Sequence, residues 1–571
     1  MSTAPEEFAM NSTTEASHRG PGTFGRNIPD SFGINLFAED PDLMPLLGLY
    51  LDPQLLKSLA PHLNRLGEMA GGEMEQLAST ADKEGPRLQP RTRTGVPTSE
   101  VIYHPAYLEL ERIGYEQFAM HAVSHVPGML GWPDVMPPLA KYVLFYLYGQ
   151  VDHGLTCPLN MTDAFTRTLK KHGSPELIEK YLSRLTTLDM KQLLQGGMLV
   201  TEQHAGSDVS QTETEAHLEN GVWKLRGQKW FCSNASADLM LVLARPDTAP
   251  SGWAGVSLFL MPKHKDDGSH NDYRIVALKD KVCTKSMATG EIQMEGAEAY
   301  LMGEVGRGFQ QIAEMMSASR MSNSIRSAAL MRRAYTESRH FARNRLAFGK
   351  PIDQLPLMRK QLSKMEVVVE QGRSFAFHTA EILRRADEGE PGMEKLVRIL
   401  TPLAKYRVCR DARKVTADAM EAHGGIGIIE EWPHSRLMRD SFTMTIGEGT
   451  ATVNALDVYR CIQKQDTLSA FEAHFQALLG EVSDQDLQQK LTRRLQKIVP
   501  FVRDCALQRH EELAREASSS LFHLGSTIII AWEASHAGLE HRLDYARAIL
   551  HHRLDGQFPR LFGMMATDLD R

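Results

Sequence analysis

Ile446-Gly447-Glu448-Gly449-Thr450 sets one carboxylate between two glycines, and a second glycine pair, Gly424-Gly425, precedes it. Neither neighbour of Glu448 has a Cβ, so backbone here can come close to a flat ligand. A carboxylate on a largely apolar wall has a raised pKa and can act as a base. The same five residues also suit a tight turn carrying a solvated Glu, and alone they do not separate the two readings. The surrounding chain does.

The 571 residues are enough for several domains around a sizeable core. With 42% apolar and 24% charged residues the composition is globular, which argues against a disordered or fibrous protein. A net charge of -7 argues against a general nucleic-acid binder. Cys157, Cys232, Cys283, Cys409, Cys461 and Cys505 lie far apart, with no metal or redox spacing, and read as reduced thiols of an intracellular protein. The start, Met1-Ser2-Thr3-Ala4-Pro5-Glu6-Glu7, lacks the basic and apolar regions of a signal peptide, and the apolar runs at 143–148 and 527–532 are far too short to span a bilayer. The expectation is a cytoplasmic enzyme with no membrane partner.

Along the chain, residues 1–30 read as a loose, Ser/Thr/Gly/Pro-rich arm. Residues 31–196 form a helical N-terminal domain, with Leu139, Tyr142, Val143, Tyr146 and Leu147 at helical spacing and a polar stretch at 82–99 read as a linker. Residues 197–300 form a small β-domain. There Asn220-Gly221 between two apolar-containing runs is a strong hairpin signal, and 239–243, 256–261 and 292–294 add short strands. In 301–465 the helical period returns, with Phe309, Ile312, Ala313 and Met316 and then Leu355, Met358, Leu362 and Met365, as in an antiparallel bundle. Residues 466–571 are a further helical domain. The fold class is α+β multidomain.

Several ordered stretches resemble the acyl-CoA dehydrogenase superfamily. Thr201-Glu202-Gln203-His204-Ala205-Gly206-Ser207-Asp208-Val209 looks like its first flavin motif, and Gly227-Gln228-Lys229-Trp230-Phe231-Cys232-Ser233-Asn234 like its second. Arg345-Leu346-Ala347-Phe348-Gly349 matches Arg-x-x-Phe-Gly, while Gly424-Gly425-Ile426-Gly427 and Leu437-Met438-Arg439-Asp440 lead into Glu448. Ile34-Asn35-Leu36-Phe37, His104-Pro105-Ala106 and the Leu155 to Thr162 stretch are most similar to the AidB-like branch. The resemblance implies a helical N-terminal domain, a central antiparallel β-barrel-like domain, a C-terminal four-helix bundle and an additional helical domain. It also implies FAD as cofactor, an acyl-CoA substrate, a homotetramer, and electron-transfer flavoprotein or a similar acceptor as partner.

Residue by residue, the resemblance makes Glu448 the base that removes the α-proton while hydride leaves the β-carbon. Met198, Thr201, Gly206, Ser207, Phe231, Ser233, Arg345, Phe348, Gly424, Gly425, Thr450 and Thr452 would hold FAD, with Arg345 and Phe348 reaching the cofactor of a neighbouring subunit. Ser207, Arg320, Gly447 and Gly449 would border the acyl-CoA. Phe231 stands where many relatives have Trp and Ser233 where they have Thr, preserving a ring and a hydroxyl. Pro356 and Glu421 replace Gln, and because a carboxylate beside a diphosphate is repelled, Glu421 is not counted among the ligands. Ser319, beside Arg320, occupies the position from which other branches supply their base and cannot serve as one. Gly447 replaces a bulky aromatic, so the pocket should admit a longer, branched or cyclic acyl chain.

Two rival readings accompany this one. The AidB-like branch also suggests a flavoprotein of the alkylation-damage response that binds duplex DNA, with little dehydrogenase turnover. From Arg460 onward, however, acids and bases nearly balance, and Lys490, Arg493, Arg494 and Lys497 form the one basic cluster, simplest as a solvated helix face. An oxidase of the same fold commonly carries Asp as base, so Glu448 favours the dehydrogenase. His121 and His125 have the spacing of a helical metal pair but no evident third ligand, and no metal is expected.

Overall fold

The structure, a computed structural model, describes residues 28–555. The loose arm expected at 1–30 therefore lies, but for its last three residues, outside the described residues, as do residues 556–571 of the terminal segment.

The N-terminal part contains α1 (Leu43–Leu47), α2 (Pro53–Gly71), α3 (Glu73–Lys83), β1 (Arg87–Arg91), β2 (Pro97–Ile102), α4 (Pro105–Arg112), α5 (Pro138–Tyr148), α6 (Thr156–His172) and α7 (Pro175–Leu185). Helix α2 shows why such sequences fold this way. Asp52 caps it, accepting from the backbone N–H of Gln54 (2.8 Å) and Leu55 (3.2 Å), and Pro53 suits its first turn. Leu55, Leu59, Leu63 and Leu66 then form one buried face. The segment Ile34 to Phe37 lies against this helix where Gly67 and Gly71 leave room; a Cβ on Gly71 would sit 1.6 Å from the Ile34 carbonyl oxygen.

The stretch at 82–99, expected as a linker, is corrected by the structure. Lys83 ends α3, and Arg87 to Ile102 form an antiparallel hairpin. Its outward residues are polar and Pro90 interrupts its pattern, which hides the strands, yet Leu88 and Val101 pack on the β-domain core and Ser99 Oγ accepts from Ile275 N–H at 2.9 Å.

The central strands are β3 (Gly196–Leu199), β4 (Glu215–Glu219), β5 (Val222–Ser233), β6 (Leu239–Pro246), β7 (Ser257–Pro262), β8 (Tyr273–Leu278) and β9 (Thr289–Met302). They form one sheet in the order β3-β5-β4-β6-β7-β9-β8, and a β5–β9 pairing closes it into a barrel. Asn220 (φ 51°) and Gly221 (φ 83°) make the β4–β5 turn, as two positive φ values require.

Next come α8 (Gly308–Asn344), the two-residue strands β10 (Leu346–Ala347) and β11 (Lys350–Pro351), α9 (Pro356–Asp387), α10 (Met393–Ala422), α11 (Pro433–Ile446) and α12 (Ala451–Gln465). The last elements are α13 (Thr467–Gly480), α14 (Gln485–Leu507), α15 (Ala514–His536) and α16 (Arg542–Ile549). Helices α8, α9, α10 and α12 form the bundle, and the terminal helices share its core: Phe375 of α9 and Phe522 of α15 have ring centroids 4.8 Å apart. Among the described residues no helix is long and apolar enough to cross a membrane.

Candidate active site

Glu448 sits in the turn between α11 and α12. Its φ is +59° and that of Gly449 is +90°, so the glycine after the acid is demanded by the backbone. Holding a non-glycine residue there stores strain of the kind that collects at functional sites. The turn is locked from both sides. Asn454 Nδ2 donates to the carbonyl oxygens of Gly449 (2.8 Å) and Thr450 (3.0 Å), and Thr450 Oγ1 caps α12 by accepting from Val453 N–H. Arg320 of α8 donates through Nε to the Glu448 carbonyl oxygen (3.1 Å) and through Nη1 to Asp457 Oδ2 (2.6 Å). Asp457 is shared with Arg398, at 2.6 Å. Thus Arg320, expected along the acyl-CoA pocket, has its guanidinium committed to the backbone of the acid and to Asp457.

Burial raises the pKa of the Glu448 carboxyl, opposed by a hydrogen bond from Ser319 and by the charges of Arg320, Lys405 and Arg326. Ser319 is thus a hydrogen-bond partner of the Glu448 carboxyl. Lys405, on α10, is buried and donates to the Met444 carbonyl oxygen; Arg326 is buried on α8 against Asn323 and Thr156. Neither forms an ion pair among the described residues, and Arg326 Nε has no partner there. Sequence reasoning missed Ser319, Arg326 and Lys405 as neighbours of the acid. Ser319 adjoins a singled-out arginine, but no spacing ties Lys405 to Glu448. Gly447 has φ -60°, and a Cβ there would meet only the Thr443 carbonyl oxygen, at 3.6 Å. The space before the acid is open.

The β-domain brings the two glycine-containing motifs together. Met198 of β3 pairs with Ser233 of β5, and Trp230 N–H donates to the Thr201 carbonyl oxygen at 2.8 Å. A bulge between Lys229 and Cys232 takes Trp230 and Phe231 out of register with β9, and such bulges re-aim side chains. Phe231 is 58% exposed, whereas Trp230 lies under Lys279, whose Nζ is 3.3 Å from its ring centroid. Beneath the surface, Glu202 of the first motif is hydrogen-bonded to Lys229 of the second (2.6 Å), to Thr214 Oγ1 (2.6 Å) and to Glu213 N–H (2.7 Å). Gly206 and Ser207 are exposed on the loop that follows.

The remaining expected residues are placed elsewhere. Phe348 (φ +53°, 92% exposed) and Gly349 (φ +81°) form the tip of the β10–β11 hairpin, with Arg345 exposed at its base. Gly424 (φ +61°) and Gly425 are exposed with open space around them; the steric demand falls on Gly427, where a Cβ would lie 2.1 Å from the Met420 carbonyl oxygen. Thr452 and Glu421 are exposed. His125 is bonded to Asp163 (2.9 Å) and His121 to the Thr187 carbonyl oxygen (3.1 Å). In the basic cluster on α14, Lys490 pairs with Asp486 (2.6 Å) and Arg494 with Asp555 (2.5 Å).

Comparison with known proteins agrees along the chain. Residues 27–190 match the adaptive response protein AidB N-terminal domain, 197–297 the acyl-CoA dehydrogenase middle domain and 306–463 the acyl-CoA dehydrogenase C-terminal domain. AidB of Escherichia coli (strain K12) is 33% identical over 477 residues, covering 81% of this chain and 83% of that protein. Acyl-CoA dehydrogenase family member 11 of Caenorhabditis elegans is 28% identical over 558 residues, covering 93% and 89%. The crystal structure of Caenorhabditis elegans ACDH-11 in complex with C11-CoA superposes with a TM-score of 0.85 at 27% identity, covering 93% of each chain.

Proposed function

The chain belongs to the acyl-CoA dehydrogenase family, in its AidB-like branch, and from that premise we propose that it is an FAD-dependent enzyme that desaturates an acyl-CoA thioester between its α- and β-carbons. The observation that carries the reading is the Glu448 turn: a carboxyl with raised pKa, on a strained backbone pinned from α8 and α12.

The residues present fit a flavin. An exposed aromatic ring at Phe231, the hydroxyl residues Thr201, just after β3, and Ser233, at the end of the adjacent β5, and the open backbone of Gly206 and Ser207 offer a face and donors to a ring and a diphosphate. Met198, Thr450 and Thr452 complete the set in this chain, while Arg345, Phe348, Gly424 and Gly425 serve the cofactor of a second copy in the tetramer. Bound FAD supplies the acceptor for the electrons that leave the β-carbon.

Glu448 takes the α-proton. Its raised pKa matches it to a weakly acidic C–H, and Ser319 holds the carboxyl in place. As the proton leaves, negative charge grows on the thioester oxygen. The Glu448 N–H has no protein acceptor among the described residues and can donate there, while Arg326 and Lys405 supply a positive field. Arg320 fixes the turn through the Glu448 carbonyl, so its role is positioning. Ser207, Gly447 and Gly449 border the thioester.

The test is anaerobic titration of the purified flavoprotein with short, branched, aromatic and long acyl-CoA esters, following flavin bleaching. Wild type should bleach with one class, and Glu448→Gln should slow bleaching by about 10²–10⁴-fold, the usual worth of a general base. If no ester bleaches the flavin, the dehydrogenase reading falls.

A further inference from the structure

Lys281 lies on the loop between β8 and β9 and ends beside the second flavin motif. Its Nζ donates to the Thr289 hydroxyl (3.0 Å) and to the Met287 carbonyl oxygen (2.8 Å). Thr289 opens β9 and is paired with Ser233 across the β5–β9 ladder, while Ser233 is paired with Met198 across β3–β5. From the bundle side, Cys157 of α6 is hydrogen-bonded to Ser233 and is close enough to feel the charges of both Lys281 and Glu448. The ammonium thus stands one side chain away from Ser233, on the side of it that faces the base. Cys157, Ser233 and Lys281 are each only half-buried, and Lys281 and Thr289 line a cleft of about 710 Å³, so the charge is open to a ligand.

That charge has no countercharge of its own. Lys141 is paired with Asp163 (2.8 Å), Lys229 with Glu202 (2.6 Å) and Lys279, two residues before Lys281, with Glu291 (2.5 Å). Lys281 forms no ion pair among the described residues. The acids whose charge it feels are engaged elsewhere: Asp440 accepts from Thr284 N–H (2.6 Å), and Asp152 from Leu155 N–H (2.5 Å) and Ser286 Oγ (3.0 Å). Burial pushes the Asp440 carboxyl up to about 7, which weakens it as a countercharge near neutral pH. An ammonium has three donors, and only two of Lys281's have a protein acceptor among the described residues. Closing the loop accounts for those two bonds but not for the charge, since a neutral donor would make them without the cost of desolvating an ion.

We propose that Lys281 is the cation that favours reduced over oxidised FAD in this protein, and so sets how strongly the bound cofactor draws electrons from the substrate. The inference rests on the flavin reading above and adds a residue to it. When Glu448 takes the α-proton and a hydride, two electrons with one proton, leaves the β-carbon, the cofactor gains one negative charge. Lys281 answers that charge from the β-domain side, with an ammonium committed to no acid, as Arg326 and Lys405 do for the thioester from the bundle side. A fixed positive charge in a partly desolvated site stabilises the more negative redox state, which raises the potential.

The experiment is dye-equilibrated reduction of the purified holoprotein, without any acyl-CoA, for wild type, Lys281→Gln, Lys281→Arg and Lys57→Gln. Gln keeps a donor for Thr289 and Met287 without the charge, Arg keeps the charge, and Lys57, exposed on α2, controls for net charge. At a fixed potential Lys281→Gln should shift the ratio of oxidised to reduced FAD about tenfold toward oxidised, a fall of about 30 mV for a two-electron couple. Lys281→Arg and Lys57→Gln should stay at the wild-type potential. An unmoved potential in Lys281→Gln, or an equal fall in either of the other two variants, overturns the inference. Where Lys281→Gln holds FAD weakly, the same ratio is read as its affinity for reduced over oxidised FAD, which linkage makes equivalent. Wild type that takes up no FAD overturns this inference and the flavin reading together. Failure of the dehydrogenase reading alone is visible separately, as absence of bleaching by any ester in wild type whose FAD the dyes still reduce.

Discussion

The same bundle helices carry two clusters of buried charge, partnered in opposite ways. In one, Arg332 of α8, Glu370 and Arg373 of α9 and Arg542 of α16 meet Asp40 and Glu533. Glu370 accepts from all three arginines, Arg373 also binds Asp40, and Arg542 reaches Glu533 at 2.7 Å. In the other, Arg326 and Lys405 face Glu448 and pair with no acid among the described residues. The first cluster ties the start of the chain and its terminal helices to the bundle. The second leaves positive field free around Glu448, where the proposed reaction would need a carboxylate to ionise and a substrate to acquire charge. A closed network spends its electrostatics on structure, and an open one keeps them for chemistry.

Breaking the closed network should have the largest effect. Glu370→Leu leaves three buried guanidinium groups short of an acid and should cost about 3–5 kcal/mol, read as a lowered urea midpoint at unchanged slope. A loss under 1 kcal/mol would mean the network is replaceable. Acid should probe the same group. Burial pushes the Glu370 carboxyl up, but Arg373, Arg332 and Arg542 together hold it well below the usual range. Its folded pKa is thus depressed, so its contribution is complete above about pH 4.3, the unperturbed Glu value, and drains as pH falls toward the folded value. Glu370→Leu should therefore lose less stability than wild type between neutral pH and pH 3.

The two clusters also differ in how much of them the amino-acid order reveals. Glu448 is legible because glycines on both sides are a local signal, and Gly449 does occupy a positive φ. The β4–β5 hairpin is legible for the same reason, since Asn220-Gly221 is the turn. What stays hidden depends on distant partners. Lys405 and Arg326 are unremarkable on their helices until the fold sets them beside the acid, and Asp40, Glu370 and Arg542 belong to three separated segments. The Glu202–Lys229 pair lies within two motifs chosen for other residues, and its role in joining them appears only when β5 comes alongside Thr201. The β1–β2 hairpin was concealed by its own exposure, because only Leu88 and Val101 turn toward the core.

Opening the second cluster further should move chemistry more than stability. Lys405→Met removes a positive charge that lowers the pKa of Glu448, so the base should titrate at higher pH in the variant. The rising limb of bleaching rate against pH should shift upward, with severalfold slower bleaching below it and a smaller change on its plateau. Losing the hydrogen bond to the Met444 carbonyl should also cost about 1 kcal/mol of stability. A limb that stays in place while stability falls would assign Lys405 to structure, alongside the first cluster.

The smallest expected effect on the fold, and the sharpest on the site, is at Gly447. Its φ of -60° is open to any residue, and a Cβ there would have a single neighbour at 3.6 Å, so a side chain can be added without displacing backbone. Gly447→Trp should therefore change stability by less than about 0.5 kcal/mol, as surface substitutions do. The indole, placed immediately before the base, would occupy room that the glycine leaves to the acyl chain. Bleaching by lauroyl- and branched-chain CoA esters should then fall at least tenfold while butyryl-CoA is little affected. Equal loss for every ester would instead show that the ring disturbs the strained Glu448 turn, and no loss for any would remove Gly447 from the determinants of chain size. Only the selective loss is expected when the open space before Glu448 is part of the substrate path and the pinned turn behind it is not.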